Sequence, residues 1–229
     1  MATNYKMTHR DIYYKATRMD GTDFRTGKVK YEVGKRVRPL PHDGERELCG
    51  PGYLHASDVP SETLPGGWWP CRLFEVKGKP ADGFRYKFMH KGGFKQLTVV
   101  REIEAWQALG PNGREVAELI ERAGRLTTEE SRKLSASRVI DWLLNCEEFF
   151  DREVDKHAAR KAIQYAAWNN ARVSARDAAR DAVGKAIGIP FGSVVEVIYS
   201  DAVQALVVRD LIPEEYFNVL HGPWKAAVG

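Results

Sequence analysis

The chain has 229 residues, a 43% hydrophobic content and a formal net charge of +4, which suffices for one large domain or two small ones with a core that needs no staples. Three widely spaced cysteines, Cys49, Cys71 and Cys146, form no C-x-x-C pair, so neither a zinc site nor a disulfide framework is indicated and a reducing cytoplasm is the expected setting. No apolar run approaches the roughly 18 residues that span a bilayer, and the N-terminus lacks a signal-peptide core, so no membrane, metal or cofactor is expected. Residues 1 to 110 carry about 19 basic against 13 acidic side chains, and an anionic partner would favour that half.

Ile12 to Thr17 is rich in aromatic and β-branched residues and is followed by the turn dipeptide Asp20-Gly21, which predicts a first strand. Lys28 to Val33 alternates polar and apolar, predicting a second strand with Val29, Tyr31 and Val33 on one buried face, paired with the first. Lys35 to Leu48 has loop composition. Gly50-Pro51-Gly52 is irregular backbone from which Tyr53-Leu54-His55 re-enters extended structure. Ser57 or Asp58 is placed to cap a short helical turn with Pro60 near its start. Pro65 to Pro70 is a rigid loop whose Trp68 and Trp69 are either a lid on the small core or an exposed contact surface. Leu73 to Lys77, Phe84 to Met89 and Leu97 to Arg101 read as strands, the last two joined by a His90-Lys91-Gly92-Gly93 hairpin link.

Beyond residue 105 the pattern turns helical. Val116, Leu119, Ile120 and Ala123 give Trp106 to Ala123 an apolar face ending at Gly124, and Thr127 with Glu130 forms a capping box before a stripe that continues to Phe149-Phe150. Arg152 to Ile187 predicts one long alanine-rich helix, with Arg172, Arg176, Asp177, Arg180 and Asp181 on a solvated face. Gly188 and Pro190 end it, Ser193 caps a helix from Val194 to Asp210, and a short helix runs from Pro213 to Gly222. The fold class expected is α+β: a small mixed or antiparallel sheet domain over 1–105, then a helical domain over 106–229. The small-residue stripe predicts a homodimer through 152–210.

The order YKAT, YEVGK, C-x-x-G-x-L-H-A-S, RLFEVKG and LTVVREI, over residues 12 to 104, resembles a domain of uncharacterised proteins from bacteriophages and their bacterial hosts, with Tyr53-Leu54 in place of a tighter spacing. The segment ALVVRDLIPEEYFNVLHGPW, with the alanine-rich stretch and Ala166-Ala167-Trp168 before it, is similar to the ends of accessory proteins in phages of actinobacteria. The resemblance implies a phage or prophage origin and action in the host cytoplasm; it implies no particular chemistry.

For the chemistry two classes stand. In the first, the protein binds a host protein, a nucleotide or nucleic acid, or another anionic ligand: Lys28, Lys30, Lys35, Arg36 and Arg38 cluster within eleven residues, Lys35, Arg36 and Arg38 being the contact set, and Trp68 and Trp69 offer stacking. Lysines there also suit a guarded strand edge. In the second, a strand with an aromatic, a G-x-x-H-x-S element and a strand with a glutamate is similar to the layout of ADP-ribosyltransferases. That resemblance would put Tyr14 and Lys15 on the first strand, His55 and Ser57 in the second motif and Glu75 last, though no arginine or histidine stands on the first strand to hold NAD. His55 reads equally as a core histidine, Glu75 as the outward residue of an alternating strand, and Cys49 as a thiol with no orienting partner. His90 reads as a turn residue, and Lys91-Gly92-Gly93 lacks the order of a P-loop. A minor structural or assembly role is the third alternative, favoured if the helices self-associate.

Overall fold

The computed structural model describes residues 12–43, 51–65, 67–81, 90–134, 156–161, 169–187 and 194–228. The chain divides into two compact units, 1–108 and 109–229, and its class is α+β, an antiparallel sheet followed by helices.

In the first unit six strands, β1 (Tyr13–Thr17), β2 (Arg36–Val37), β3 (Leu54–Ser57), β4 (Arg72–Lys77), β5 (Lys91–Phe94) and β6 (Leu97–Ile103), lie in the order β2-β6-β4-β1-β3-β5. Every pairing is antiparallel. Directly opposed residues share a face, so Tyr13 opposite Val76 and Lys15 opposite Phe74 point to one side. That side is the core, where Tyr13, Leu54, Phe74, Val76, Phe94 and Val99 cluster with Tyr31. Only Lys95 and Gln96 separate β5 from β6, although those strands stand far apart in the sheet order. The sheet therefore curls on itself, and residues 91–103 act as a bent segment that pairs with β3 through β5 and with β2 and β4 through β6, as strands do at the corners of packed sheets. The curl brings the chain so close at Gly78 that an added methyl group would sit 2.6 Å from the Gln96 carbonyl oxygen.

Four expected features of this unit are revised. Residues 29–33 do not form a strand paired with β1: Lys30 makes one isolated bridge to Thr22, and Tyr31 is buried while Val33 is 52% exposed. The Asp23 carboxylate accepts hydrogen bonds from the Thr26 and Val29 backbone N–H groups at 2.6 and 3.0 Å. A side chain thus takes the place of a ladder partner and rolls residues 23–29 into a loop. The supposed link His90–Gly93 is mostly strand: Lys91–Phe94 pairs with β3, Gly92 facing Ala56 and Gly93 facing His55. His90 alone keeps a turn conformation, with φ +74°. Within the expected loop 35–48, Arg36–Val37 pairs with β6. The helical turn comes at Pro60–Glu62, but its cap position is Val59; Ser57 Oγ accepts from the Val59 N–H, and Asp58 turns to His90. Cys49 and the expected strand 84–89 lie outside the described residues.

The second unit contains α1 (Gly113–Ala123), helical residues 128–134 and 156–161, α2 (Asn169–Ile187), α3 (Val194–Val207) and α4 (Glu214–Val228). The helix expected from Trp106 instead begins as a 3-10 turn at Ala105–Leu109 and breaks at Gly110, whose φ is +98°. The apolar face of α1 is buried as its spacing predicts, and Thr127 and Glu130 exchange the reciprocal bonds of a capping box. Ala171, Ala175, Ala179 and Val183, four residues apart, are buried, and α2 packs on α3, as small side chains permit. Arg172 is not on a solvated face: it is 8% exposed and donates to Gln204 on α3 at 3.2 Å. α4 continues through Gly222 and Pro223, because Trp224 is buried edge-on against Tyr199 with ring centroids 4.5 Å apart. The rest of the expected long helix, with Ala166-Ala167-Trp168, the stripe to Phe149-Phe150, and Gly188, Pro190 and Ser193, lies outside the described residues.

Candidate functional site

Strands β1 and β3 are matched at Tyr14–Ser57 alone. Beyond that pair β1 continues beside β4 while β3 continues beside β5, so the sheet splits. A cleft of about 320 Å³ is lined from both lips of the split and roofed by the 23–29 loop and residues 51–53. Pro51 and Gly52 make that roof possible: Gly52 is buried with φ +88°, a left-handed conformation that a side chain would strain.

Three cations face the cleft, Lys15 from β1, Arg25 from the loop and Lys91 from β5. Lys15 lies on the core side of β1 with its Nζ 5.4 Å from the Tyr31 ring centroid. Burial pushes its ammonium down to about 8; Asp23 opposes the shift and Lys91 adds to it. His55 is pushed down to about 3, first by burial and then by Lys91, Lys15 and Arg25. Its imidazole is therefore neutral throughout the physiological range, and the three cations all act on one point. For Asp23, burial works against the charge, but hydrogen bonds from Thr26 and Val29 outweigh it and hold the carboxyl below its ordinary range. That carboxylate faces the cleft while its oxygens organise the loop.

Tyr14, His55 and Ser57 line the cleft together. Glu75 does not: it stands opposite Tyr14 in register, yet its carboxylate receives Arg101 Nε and Nη2 at 2.7 and 2.6 Å. A second ion pair joins the same two strands, Arg72 with Glu102; Glu102 stands opposite Phe74, so this pair is on the other face of the sheet. Lys35, Arg36 and Arg38 are exposed along the β2 edge, outside the cleft, where Pro39 and Leu40 supply part of its wall. Trp68 is 48% exposed and packs edge-on to Phe24, a cleft residue, with centroids 4.7 Å apart; Trp69 is half-buried. The tryptophan loop thus braces the cleft wall and also presents a ring to solvent. The Cys71 thiol is buried and pushed up to about 12 by burial, far from the range of a reactive thiolate.

Arg25 and Lys91 were not among the residues that sequence patterning singles out as a site. Lys15 carried a usable signal, a lysine in phase with the inward Tyr13 of a strand. Among the described residues no cluster of three or more His, Cys, Asp or Glu could hold a metal ion, and no helix is long and apolar enough to cross a membrane. No family model, curated protein or solved structure matches the chain.

Proposed function

We propose that the N-terminal unit is a binding module that captures a small anionic ligand in the cleft between β1 and β3. The observation that carries this reading is that Lys15, Arg25 and Lys91 line one concave site with His55, while the Asp23 carboxylate in it is engaged by the loop backbone. Such an arrangement, three cations with few polar groups along one concave site, favours anions over neutral ligands. With the phage resemblance of residues 12–104, the module is an accessory protein that sequesters an anionic compound in the infected host. Titration calorimetry of the full chain with pyrophosphate tests it. Binding is expected at low salt, weakened by physiological salt and by Lys91→Met at least tenfold; no binding at low salt removes the reading.

The second reading, an enzyme acting on NAD in the manner of ADP-ribosyltransferases, is favoured by one observation: Tyr14, His55 and Ser57 line one cleft. Glu75, the carboxylate that reading requires, is occupied by Arg101 away from it. Release of nicotinamide from NAD by the wild-type protein, lost in His55→Ala, would bring the enzyme reading forward.

A further inference from the structure

We infer that the ligand of the cleft is a nucleoside phosphate, with its phosphate at the Lys15, Lys91 and His55 end and its base against Phe24, an assignment that rests on the anion-binding reading above. The cations alone would serve inorganic phosphate. They leave unexplained why the loop wall presents an aromatic ring that is held from several sides. Trp68 packs edge-on to Phe24 at 4.7 Å. Arg18 Nη2 donates to the Phe24 carbonyl at 2.8 Å, and its guanidinium stands 5.2 Å from the Trp68 ring centroid. Gly67 is the third support: a methyl group there would sit 2.6 Å from two Phe24 ring atoms, so the ring lies flush on that backbone. A ring fixed in this way is a stacking platform that costs little ordering on binding.

Size and chemistry agree with a single nucleotide. A cleft of about 320 Å³ is at the small end of ligand pockets and is suited to one nucleotide, not to a run of them. His55 lines the phosphate end and is neutral there, so the charge that meets the phosphate comes from the lysines. Lys15 and Lys91 both line the cleft, one from each lip of the split sheet, and so bring two ammonium donors to one ligand.

The test is calorimetric titration of the full chain with pyrophosphate, ribose 5-phosphate, AMP and UMP under one low-salt condition. The expected result is that a nucleotide binds about tenfold or more tightly than ribose 5-phosphate, the gain that stacking on one ring supplies. Phe24→Leu is expected to bring nucleotide affinity down towards that of the sugar phosphate, and Phe24→Tyr to restore most of it. Nucleotides binding no better than ribose 5-phosphate would overturn the assignment while leaving anion capture in place; failure of all four ligands would overturn both. If Phe24→Leu does not fold, the wild-type comparison of AMP and UMP with ribose 5-phosphate still decides the matter.

Discussion

The Lys15 ammonium stands 5.4 Å from the centroid of the Tyr31 ring, on the same face of β1 as the core residue Tyr13. The ring face offsets part of the cost of taking a charge out of water, but the depression of Lys15 to about 8 shows that burial prevails. A lysine depressed in the folded state disfavours folding while it is protonated. The cost is therefore complete below about pH 8, and stability rises between about 8 and 10.5, where only the unfolded chain keeps the proton. The full shift corresponds to ~3 kcal/mol; because the side chain borders an open cleft, ~1–2 kcal/mol is the realistic expectation. Lys15→Met is predicted to be more stable than the wild type at pH 7 by that amount and to lose anion binding. Urea unfolding at pH 7 and pH 9.5 checks it: the wild type gains stability between the two, and the variant does not.

Ligand binding should follow the same proton. An anion beside Lys15 favours the charged amine, so binding above about pH 8 takes up a proton, and affinity is expected to fall by up to about tenfold per pH unit there. Between about pH 7 and 8, where a phosphate monoester is already doubly ionised, the affinity should be flat, since His55 remains neutral down to about 3 and Asp23, which also faces Lys15, is already ionised with its pKa lowered. Glu62 on the opposite lip and the cations Arg25 and Lys91 share the cleft. Calorimetry in buffers of different ionisation enthalpy counts the protons; zero uptake at pH 9 would remove Lys15 from the binding site.

The strands at Tyr13–Thr17, Arg72–Lys77 and Leu97–Ile103 were legible because each is an apolar run bounded by turn residues, and the pattern decides locally. The alternation at Val29–Val33 was equally regular and misled, because Asp23 intercepts the Val29 N–H from six residues away. Gly92 and Gly93 misled in the opposite direction: glycine signals a turn, yet here it faces Ala56 and His55 across a ladder. For the site, the G-x-x-H-x-S element led to His55 and Ser57, which meet Tyr14 in the cleft. Arg25 and Lys91 were not legible, since they meet only when β3 leaves β1 after one pair, a property of strands some forty residues apart in sequence.

Asp23 should be the residue on which the cleft wall depends. Its oxygens accept from the Thr26 hydroxyl and backbone N–H, both at 2.6 Å, and from the Val29 N–H at 3.0 Å. Asp23→Ala leaves those donors partnerless and is expected to destabilise by about 1–3 kcal/mol, with weaker ligand binding as Phe24 and Arg25 lose their position. Because the folded-state pKa is depressed, the contribution is present above the unfolded value near 4 and is lost as pH falls through the lower folded value. Thermal unfolding of both proteins at pH 7 and at pH 2.5 should show the difference shrinking in acid.

Glu75 offers the contrary case. Its bidentate bond to Arg101 lies on a partly exposed face, and such surface pairs contribute little. Glu75→Gln is expected to lower stability by under about 1 kcal/mol and to leave nucleotide affinity within twofold. A loss of NAD cleavage in this variant, with wild-type cleavage established, would show that the carboxylate acts in chemistry.

The alanine stripe invites pairing of two chains, but Ala171, Ala175 and Ala179 are fully buried within one. Their small size is used to bring α2 against α3, so the reason for expecting a partner at these positions is met internally. A larger side chain there should therefore act on folding and not on assembly. Ala175→Met is predicted to destabilise by about 1–3 kcal/mol, the usual cost of overpacking a filled core, with no change in molecular mass. Light scattering at tens of micromolar should give the single-chain mass of 25.9 kDa for both proteins. A parent of twice that mass, converted to single chains by Ala175→Met, would restore dimerisation through this helix.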